Sequence, residues 1–238
     1  MKLLHLKGTP IFEQLQLEEA LLRTGEDNVC IINEGSSPAI IMGISGKAEE
    51  LIDLNKLSKT PIPVIKRYSG GGTVVVDEST VFVSFICNKS LVNFEPYPEP
   101  LMRWSAELYA KAWPTLDFSL RENDYVVGER KVGGNAQYLT KTRFVHHTTF
   151  LWDYQSLLMD LLLNPKKTPS YRAGRSHESF VAKLRDYCPD RNMLVNAFKE
   201  ELGRSFGAKE SPLEAFAQTL NSPHRKSTSI QPPANLHI

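Results

Sequence analysis

Three consecutive glycines, Gly70 to Gly72, interrupt the otherwise strand-like run "KRYSGGGTVVVD" (Lys66 to Asp77). Glycine is costly inside a strand, because it loses more conformational entropy than any other residue and offers no side chain to pack. Three together mark either a hairpin turn or bulge, or a backbone cleared so that something can approach it closely. In the second case several N–H groups can point at one ligand, as in loops that cradle phosphates or carboxylates. The flanks bear on this choice. Arg67 is a permanent cation three residues before the first glycine and Ser69 a hydroxyl donor beside it, and both suit an anion. No GxxxxGKS/T is present and no GxGxxG opens a helix, so the loop is neither a Walker A motif nor a dinucleotide fingerprint.

The surrounding chain supplies strands in groups. "NVCIINEG" and "PAIIMGIS" read as two strands joined at the Gly35-Ser36-Ser37-Pro38 turn. "IPVIKRYSGGGTVVVDESTVFVSFICNK" adds three β-rich runs, broken by the glycines and by Asp77-Glu78-Ser79. From Asp124 to Trp152, "DYVVGERKVGGNAQYLTKTRFVHHTTFLW" adds three more, connected by Gly128-Glu129-Arg130 and Lys141-Thr142-Arg143. Helices fall between these groups. "TPIFEQLQLEEALLRT" (9–24) has Thr9 as candidate N-cap, Pro10 at the first helical position and a broad apolar face through Ile11, Leu15 and Leu22. After "NFEPYPEP", residues Leu101, Trp104, Leu108 and Ala112 keep helical spacing until Pro114, and Leu194, Val195, Phe198 and Leu202 do the same near 191–205. Grouped strands with inserted helices predict an α+β fold with a mixed or antiparallel β-sheet packed with helices. "NPKKTPSYRAGRSHESF" reads as a polar mobile loop and "NSPHRKSTSIQPPANLHI" as an irregular tail.

Charge narrows the function. Lys plus Arg number 28 against 27 Asp plus Glu, a net charge of +1, so no general attraction to nucleic acid or an anionic membrane is built in. Any polyanion should meet a local site. The three cysteines, Cys30, Cys87 and Cys188, lie far apart without zinc-like spacing, which argues against a structural metal or a disulfide framework and for a reducing compartment. The first residues lack a signal-peptide core, and no segment approaches the length of a membrane span. The expected location is the cytoplasm, or an organelle if a leader has been removed.

Two further constellations carry chemistry. In "NDYVVGERKVGGNAQ" (Asn123 to Gln137), Lys131 sits in a predicted strand close to Gly133-Gly134, so its ammonium can extend along a surface cleared of side chains; alone it would read as a solvated edge charge. Asn135 and Gln137, two apart, share one strand face and suit one ligand or one polar network. Asn123 and Asp124 read equally as turn residues before a strand. In "FVHHTTFLW", His146 and His147 point to opposite faces of a strand, which argues against a shared metal and leaves one of them to line a pocket. Cys87 ends an apolar strand as a small hydrophobe.

Taken in order, "RYSGGGTVVVD", "NDYVVGERKVGGNAQ" and "HHTTFLW" resemble the lipoate-protein ligase A family of the wider biotin/lipoate protein ligase group. The glycine-and-arginine loop of GRGRxGR type carried by biotin ligases is not present. The resemblance implies a class II aminoacyl-tRNA synthetase/biotinyl protein ligase-like fold, with a catalytic domain over 1–210 and a C-terminal segment, 211–238, too short for an accessory domain. It implies lipoate attack on the α-phosphorus of ATP to form lipoyl-AMP, then attack by one lysine of an apo lipoyl domain, in the E2 subunits of 2-oxoacid dehydrogenases or the glycine cleavage H protein. By the same resemblance Lys131 would neutralise charge between acyl carbonyl and α-phosphate and stabilise the oxyanion. Arg67, Tyr68, Ser69, Gly70, Gly71 and Gly72 would wrap the acyl chain and nucleotide, and the backbone of Thr73, Val74, Val75 and Val76 would contact the adenylate. Asn123 and Asp124 would lie near the phosphates, where magnesium accompanying ATP could be held; Gly134, Asn135 and Ala136 would form a small-residue wall, and His147 with Thr149 the pocket-lining strand.

Some positions depart from the family pattern. Tyr68 stands where a basic or small polar residue is common, Val76 replaces a histidine, Thr148 replaces a glycine, and an RxQN-like tail is missing after Gly43. The short chain suits a ligase with a separate accessory polypeptide, or a lipoyltransferase that receives ready-made lipoyl-AMP. An octanoyltransferase or amidotransferase of the same fold would need a cysteine shortly before Arg130-Lys131, and residues 116–130 contain none. A non-catalytic lipoate-binding protein is the alternative from another class. Arg143, Arg172 and Arg175 could gather at the pocket mouth to meet acidic lipoyl domains, or Arg172 to Ser179 could be a solvated loop.

Overall fold

Runs of β-branched and aromatic residues form the strands that are buried on both faces, and these make the centre of a large sheet. The computed structural model describes residues 1–164 and 168–232. The large sheet contains β1 (Lys2–Lys7), β2 (Val29–Glu34), β6 (Thr80–Asn88), β7 (Phe118–Arg121), β8 (Asp124–Val127), β9 (Arg130–Leu139), β10 (Arg143–Leu151) and β11 (Lys209–Glu210), in the spatial order β11-β1-β2-β6-β10-β9-β8-β7. β1 runs parallel to both β2 and β11; the remaining pairs are antiparallel. A second, four-stranded sheet has the order β12-β4-β3-β5, from β3 (Ala39–Met42), β4 (Val64–Lys66), β5 (Val74–Val76) and β12 (Ser229–Ile230), with only β3 and β4 parallel. The α+β class with mixed sheets is therefore as the sequence predicts.

Helices cover both faces of the large sheet. On one side lies α1 (Ile11–Thr24), followed along the chain by two short helices, α2 (Ala48–Leu51) and α3 (Leu54–Lys59). On the other, α4 (Pro98–Ala112) and α7 (Arg191–Phe206) bury an aromatic cluster in which Tyr109 meets Trp113, Phe118, Tyr125, Phe150 and Phe198. Here Gly133 clears space for the protein itself, since a Cβ would come 2.8 Å from the Phe150 ring. α7 starts where Asp190 accepts from the Asn192 N–H at 2.9 Å and ends at Gly207 with φ +56, both ordinary helix-end devices. Short helices α5 (Ser156–Met159), α6 (His177–Phe180) and α8 (Ala217–Asn221) complete the set.

The structure refines one local reading and corrects another. β2 and β3, adjacent in sequence, pair in different sheets, because Gly35 (φ +88) and Ser36 bond instead to the Asp77–Thr80 turn, through Gly35 N–H to Thr80 O at 2.8 Å and Ser36 N–H to Asp77 O at 3.1 Å. α1 is capped not by Thr9 but from a distance, by Ser36 Oγ, which accepts the Ile11 N–H at 2.9 Å. Part of the loop read as mobile (165–167) and the last six residues of the tail (233–238) lie outside the described residues. The rest of the tail is more ordered than its composition suggests. There β12 pairs with β4, and the buried Glu19 carboxylate accepts the N–H groups of Ser227 and Thr228.

Candidate active site

The glycine loop leaves β4, the strand of the small sheet that runs into Arg67. Arg67 does not face outward. Its buried guanidinium turns back into the loop, where Nη2 donates to Gly70 O at 3.0 Å and Gly72 O at 2.8 Å, while Nη1 donates to Ile41 O at 3.4 Å. Burial pulls its pKa down to about 10, against the opposing pull of Glu18. The expected anion ligand is thus an internal clamp, its outer nitrogens used by carbonyls. Gly71 has φ +115, and a Cβ there would lie 2.7 Å from Arg67 Nη2 and 2.9 Å from Asn135 O; Gly43 is pressed as closely, 2.4 Å from Gly71 O. What approaches Gly71 is therefore the protein's own clamp and β9. Gly70 donates its N–H to Gln137 O at 3.1 Å, and Gly72 has open space around its Cα. Thr73 to Val76 follow directly, and β5 is the end strand of its sheet, with one backbone edge unpaired by any strand among the described residues.

Lys131 lies where β9 shifts register against β8 between Tyr125 and Val126. Its side chain runs over Gly134, where an added Cβ would touch Nζ at 3.5 Å, so the lysine does occupy a strip cleared by glycine. The ammonium contacts Asp124 Oδ1 at 2.7 Å, and the other carboxylate oxygen accepts the Tyr171 hydroxyl at 2.9 Å. Register extends this strip along the sheet: Thr149 stands opposite Gly134 and His147 opposite Ala136, so these four share one face, and Gly71 abuts Ala136. Asn135 and Gln137 share a face too, as expected, but it is the α4 face. Asn135 Nδ2 donates to Asn123 O at 2.8 Å, and Gln137 Nε2 donates to Pro98 O at 3.1 Å and His146 Nδ1 at 2.9 Å. Asn135 therefore gives the wall its backbone, not its amide, and Asn123 sits apart on a surface hollow shared with Glu99, Arg103 and Glu122.

Further along the same face, His147 Nδ1 lies 2.9 Å from Glu18 Oε1 and 2.9 Å from Ser84 Oγ, and its Nε2 is 3.3 Å from Thr149 Oγ1. Gln14 Nε2 also donates to Glu18 at 2.9 Å. Burial pushes the Glu18 carboxyl upward, but His147, Ser84 and Gln14 outweigh it and hold the group below its usual range. His146 points the other way, into Ser105, Tyr125 and Gln137, and burial, helped by the charge of His147, pulls it down to about 3. It is a neutral core residue.

Other expectations separate from the site. Tyr68 packs in the core with Leu17, Leu21 and Ile86, edge-on to Tyr138, and its hydroxyl has no hydrogen-bond partner among the described residues. Val76 is buried between the sheets, and Thr148 accepts the Tyr109 hydroxyl at 2.9 Å. Arg143 is held elsewhere, by Glu26 O, Asp27 O and Asn88 Oδ1, while Arg172 and Arg175 bond to each other's backbone and lie together over the Phe180 ring, so the three do not gather at one place. Cys30 and Cys87 lie in the α4-side core, where burial raises both thiols, Cys87 to about 12. Asp124 does not fit a magnesium ligand in this arrangement, because Lys131 and Tyr171 take both oxygens, and no metal-ligating cluster of three occurs among the described residues. Glu18 and Tyr171 escaped the sequence reading. The spacing of Gln14 and Glu18, one helical turn apart on the apolar side of α1, was the available signal for the first; Tyr171, on an irregular loop, left none.

Two sheets carrying a lysine strip and a glycine loop define a protein of the class II synthetase/biotinyl protein ligase-like fold. The chain belongs to the lipoyl protein ligase A/B catalytic domain family, whose profile matches residues 10–207. Among relatives, it is 30% identical to a Plasmodium falciparum protein named inactive lipoate–protein ligase 2, over 81% of this chain and 65% of that one. It spans only about half the length of several other curated relatives. A solved bi-partite lipoate protein ligase from Thermoplasma acidophilum, described with its E2 lipoyl domain, superimposes with a TM-score of 0.75 at 21% identity, covering 92% of this chain and 89% of that one. A lipoate-protein ligase A bound with ATP gives 0.74 at 22% identity, covering 92% and 91%. No described helix is long and apolar enough to cross a membrane.

Proposed function

We propose that this chain transfers a lipoyl group, carried as lipoyl-AMP, to one lysine of an apo lipoyl domain. The observation that carries this reading is the ammonium of Lys131 laid over Gly134, at the end of a sheet face formed by Gly134, Ala136, Thr149 and His147. An apolar acyl chain would lie along that face, with its carbonyl and phosphate at the lysine. Lys131 would leave Asp124 for the acyl oxygen and phosphate, and so stabilise negative charge as the acceptor amine attacks the carbonyl carbon and the AMP oxygen departs. The Gly70–Gly72 loop and the free backbone edge of β5 would hold the nucleotide. ATP-dependent formation of lipoyl-AMP from lipoate is the fuller reaction of the family, and a separate accessory polypeptide is the partner it would call on, in the cytoplasm or an organelle.

Receipt of preformed lipoyl-AMP is the second reading, and one observation favours it. The outer nitrogens of Arg67 are engaged by loop carbonyls, leaving fewer cationic donors for the β- and γ-phosphates of ATP. Incubation of an apo lipoyl domain with lipoate and ATP, or with lipoyl-AMP, followed by mass spectrometry, distinguishes the two. Lipoylation from both substrates makes the chain a ligase, from lipoyl-AMP alone a transferase, and from neither a carrier. Lys131→Ala should abolish transfer in either active case; near-full activity of this variant would sink the mechanism.

A further inference from the structure

We propose that Tyr171 is a positioning residue for Lys131, acting through Asp124; this rests on the role given to Lys131 above. The three groups form one chain: Lys131 Nζ to Asp124 Oδ1 at 2.7 Å, and Asp124 Oδ2 to the Tyr171 hydroxyl at 2.9 Å. A carboxylate held by one partner can rotate about its Cβ–Cγ bond. Held at both oxygens, it cannot, so the phenol fixes the plane from which Asp124 presents Lys131. Tyr171 is itself anchored. Its N–H donates to Glu122 Oε1 at 3.2 Å, Arg175 Nη2 donates to its carbonyl at 2.7 Å, and the Arg121 guanidinium lies 4.9 Å from its ring. Where the same loop returns, Ala182 N–H donates to Lys131 O at 2.7 Å, so one segment holds both the side-chain partner and the backbone of the lysine.

Backbone strain gathers at this junction. Among the described residues only Glu122 (φ 53) and Ala173 (φ 49) are non-glycine residues with positive φ; one anchors Tyr171 and the other follows it by two positions. Such conformations persist where the surroundings over-determine them. The chemistry explains a need for the phenol. When Lys131 moves to an acyl-adenylate it leaves a buried carboxylate behind, and an unpartnered buried charge is costly. The Tyr171 hydroxyl stays with Asp124, spreads its charge and so eases the release of the ammonium. Burial and the charge of Asp124 both hold the phenol protonated, which keeps it a donor throughout.

Tyr171→Phe keeps the ring and removes the hydroxyl. In steady-state transfer from lipoyl-AMP, kcat should fall about tenfold with KM for the lipoyl domain unchanged, and in an Asp124→Asn background Tyr171→Phe should cost nothing further. The second readout does not need turnover: NMR titration of 13C-methylated lysines, with Lys131 assigned by the signal missing in Lys131→Arg, should show its resonance and titration displaced by Tyr171→Phe. Glu122→Gln, which keeps the phenol but loosens its anchor, should shift both readouts the same way by less, and serves if Tyr171→Phe does not fold. Unchanged kcat and an unchanged Lys131 titration would overturn the proposal, as would a full, additive loss in the Asp124→Asn background. A displaced Lys131 titration in a protein that transfers nothing would uphold the positioning role and overturn the transfer reading.

Discussion

Gly71→Ala should be severely destabilising while Gly72→Ala, one residue away, should not. At Gly71 the methyl group meets φ +115, a conformation L-residues rarely adopt, and lands 2.7 Å from Arg67 Nη2 and 2.9 Å from Asn135 O. Backbone strain of this kind costs about 1–3 kcal/mol, and forcing a carbon into a filled space costs about 1–3 kcal/mol more. If Arg67 yields, its charged hydrogen bonds to Gly70 O and Gly72 O weaken as well. A total near 4 kcal/mol is a large share of the stability of a single domain and corresponds to a fall in Tm of about 8–16 °C. At Gly72 nothing lies within 4 Å of a Cβ and φ is outside the left-handed region. Alanine there should be neutral, or stabilise by up to about 1 kcal/mol through the unfolded chain. Denaturant melts of the two variants, read with scanning calorimetry, measure the difference. If both variants lose the same stability, or Gly71→Ala loses less than about 1 kcal/mol, Gly71 is not packed as described.

Other perturbations have definite signs. Tyr68→Phe removes a buried hydroxyl that has no partner among the described residues, so urea unfolding should show no loss and up to about 1 kcal/mol of gain; a clear loss would mean the hydroxyl is bonded in solution. His146 is neutral when folded, with a pKa near 3, but titrates near 6.5 when unfolded. Its contribution is therefore complete above about pH 6.5 and is lost as pH falls toward 3, at up to about 1.4 kcal/mol per pH unit. His146→Gln should flatten the stability slope between pH 6 and 5, and an identical slope in the variant would contradict the assignment. Glu19→Ala strips the acceptor from the Ser227 and Thr228 N–H groups, so trypsin should cut at Arg225 and Lys226 several times faster than in the unaltered protein; equal rates would show that the segment is held by other contacts.

Local chemistry made most elements readable. β-branched runs located β2 to β6 and β8 to β10, and Lys131 beside Gly134 could be placed on a cleared strip because strand periodicity decides which residues share a face. Partnership over long sequence distances was less accessible. Gly35 and Ser36 stand in the turn expected between β2 and β3, yet their N–H groups are claimed by Thr80 O and Asp77 O, which sends β3 to another sheet. Arg67 looked like a ligand for an anion, but only the fold shows that its own loop supplies the acceptors. The adjacent pair Glu18 and Glu19 drew no notice in the sequence, yet both are buried, one on His147 and the other on the C-terminal segment. Arg143 was misread for the same reason: nothing nearby in sequence foretells Glu26 O and Asp27 O.

The pairing of β12 with β4 also sets a timetable for biosynthesis. β4, the strand that feeds the glycine loop, emerges from the ribosome about 160 residues before the strand that covers its outer edge. At ordinary elongation rates that edge waits roughly ten to thirty seconds with unpaired N–H and C=O groups, and β1 waits longer still for β11. Exposed strand edges are templates for association. Chains arrested before Ser229 would thus be delivered to chaperones with the strand beside the glycine loop open to pairing with a neighbour.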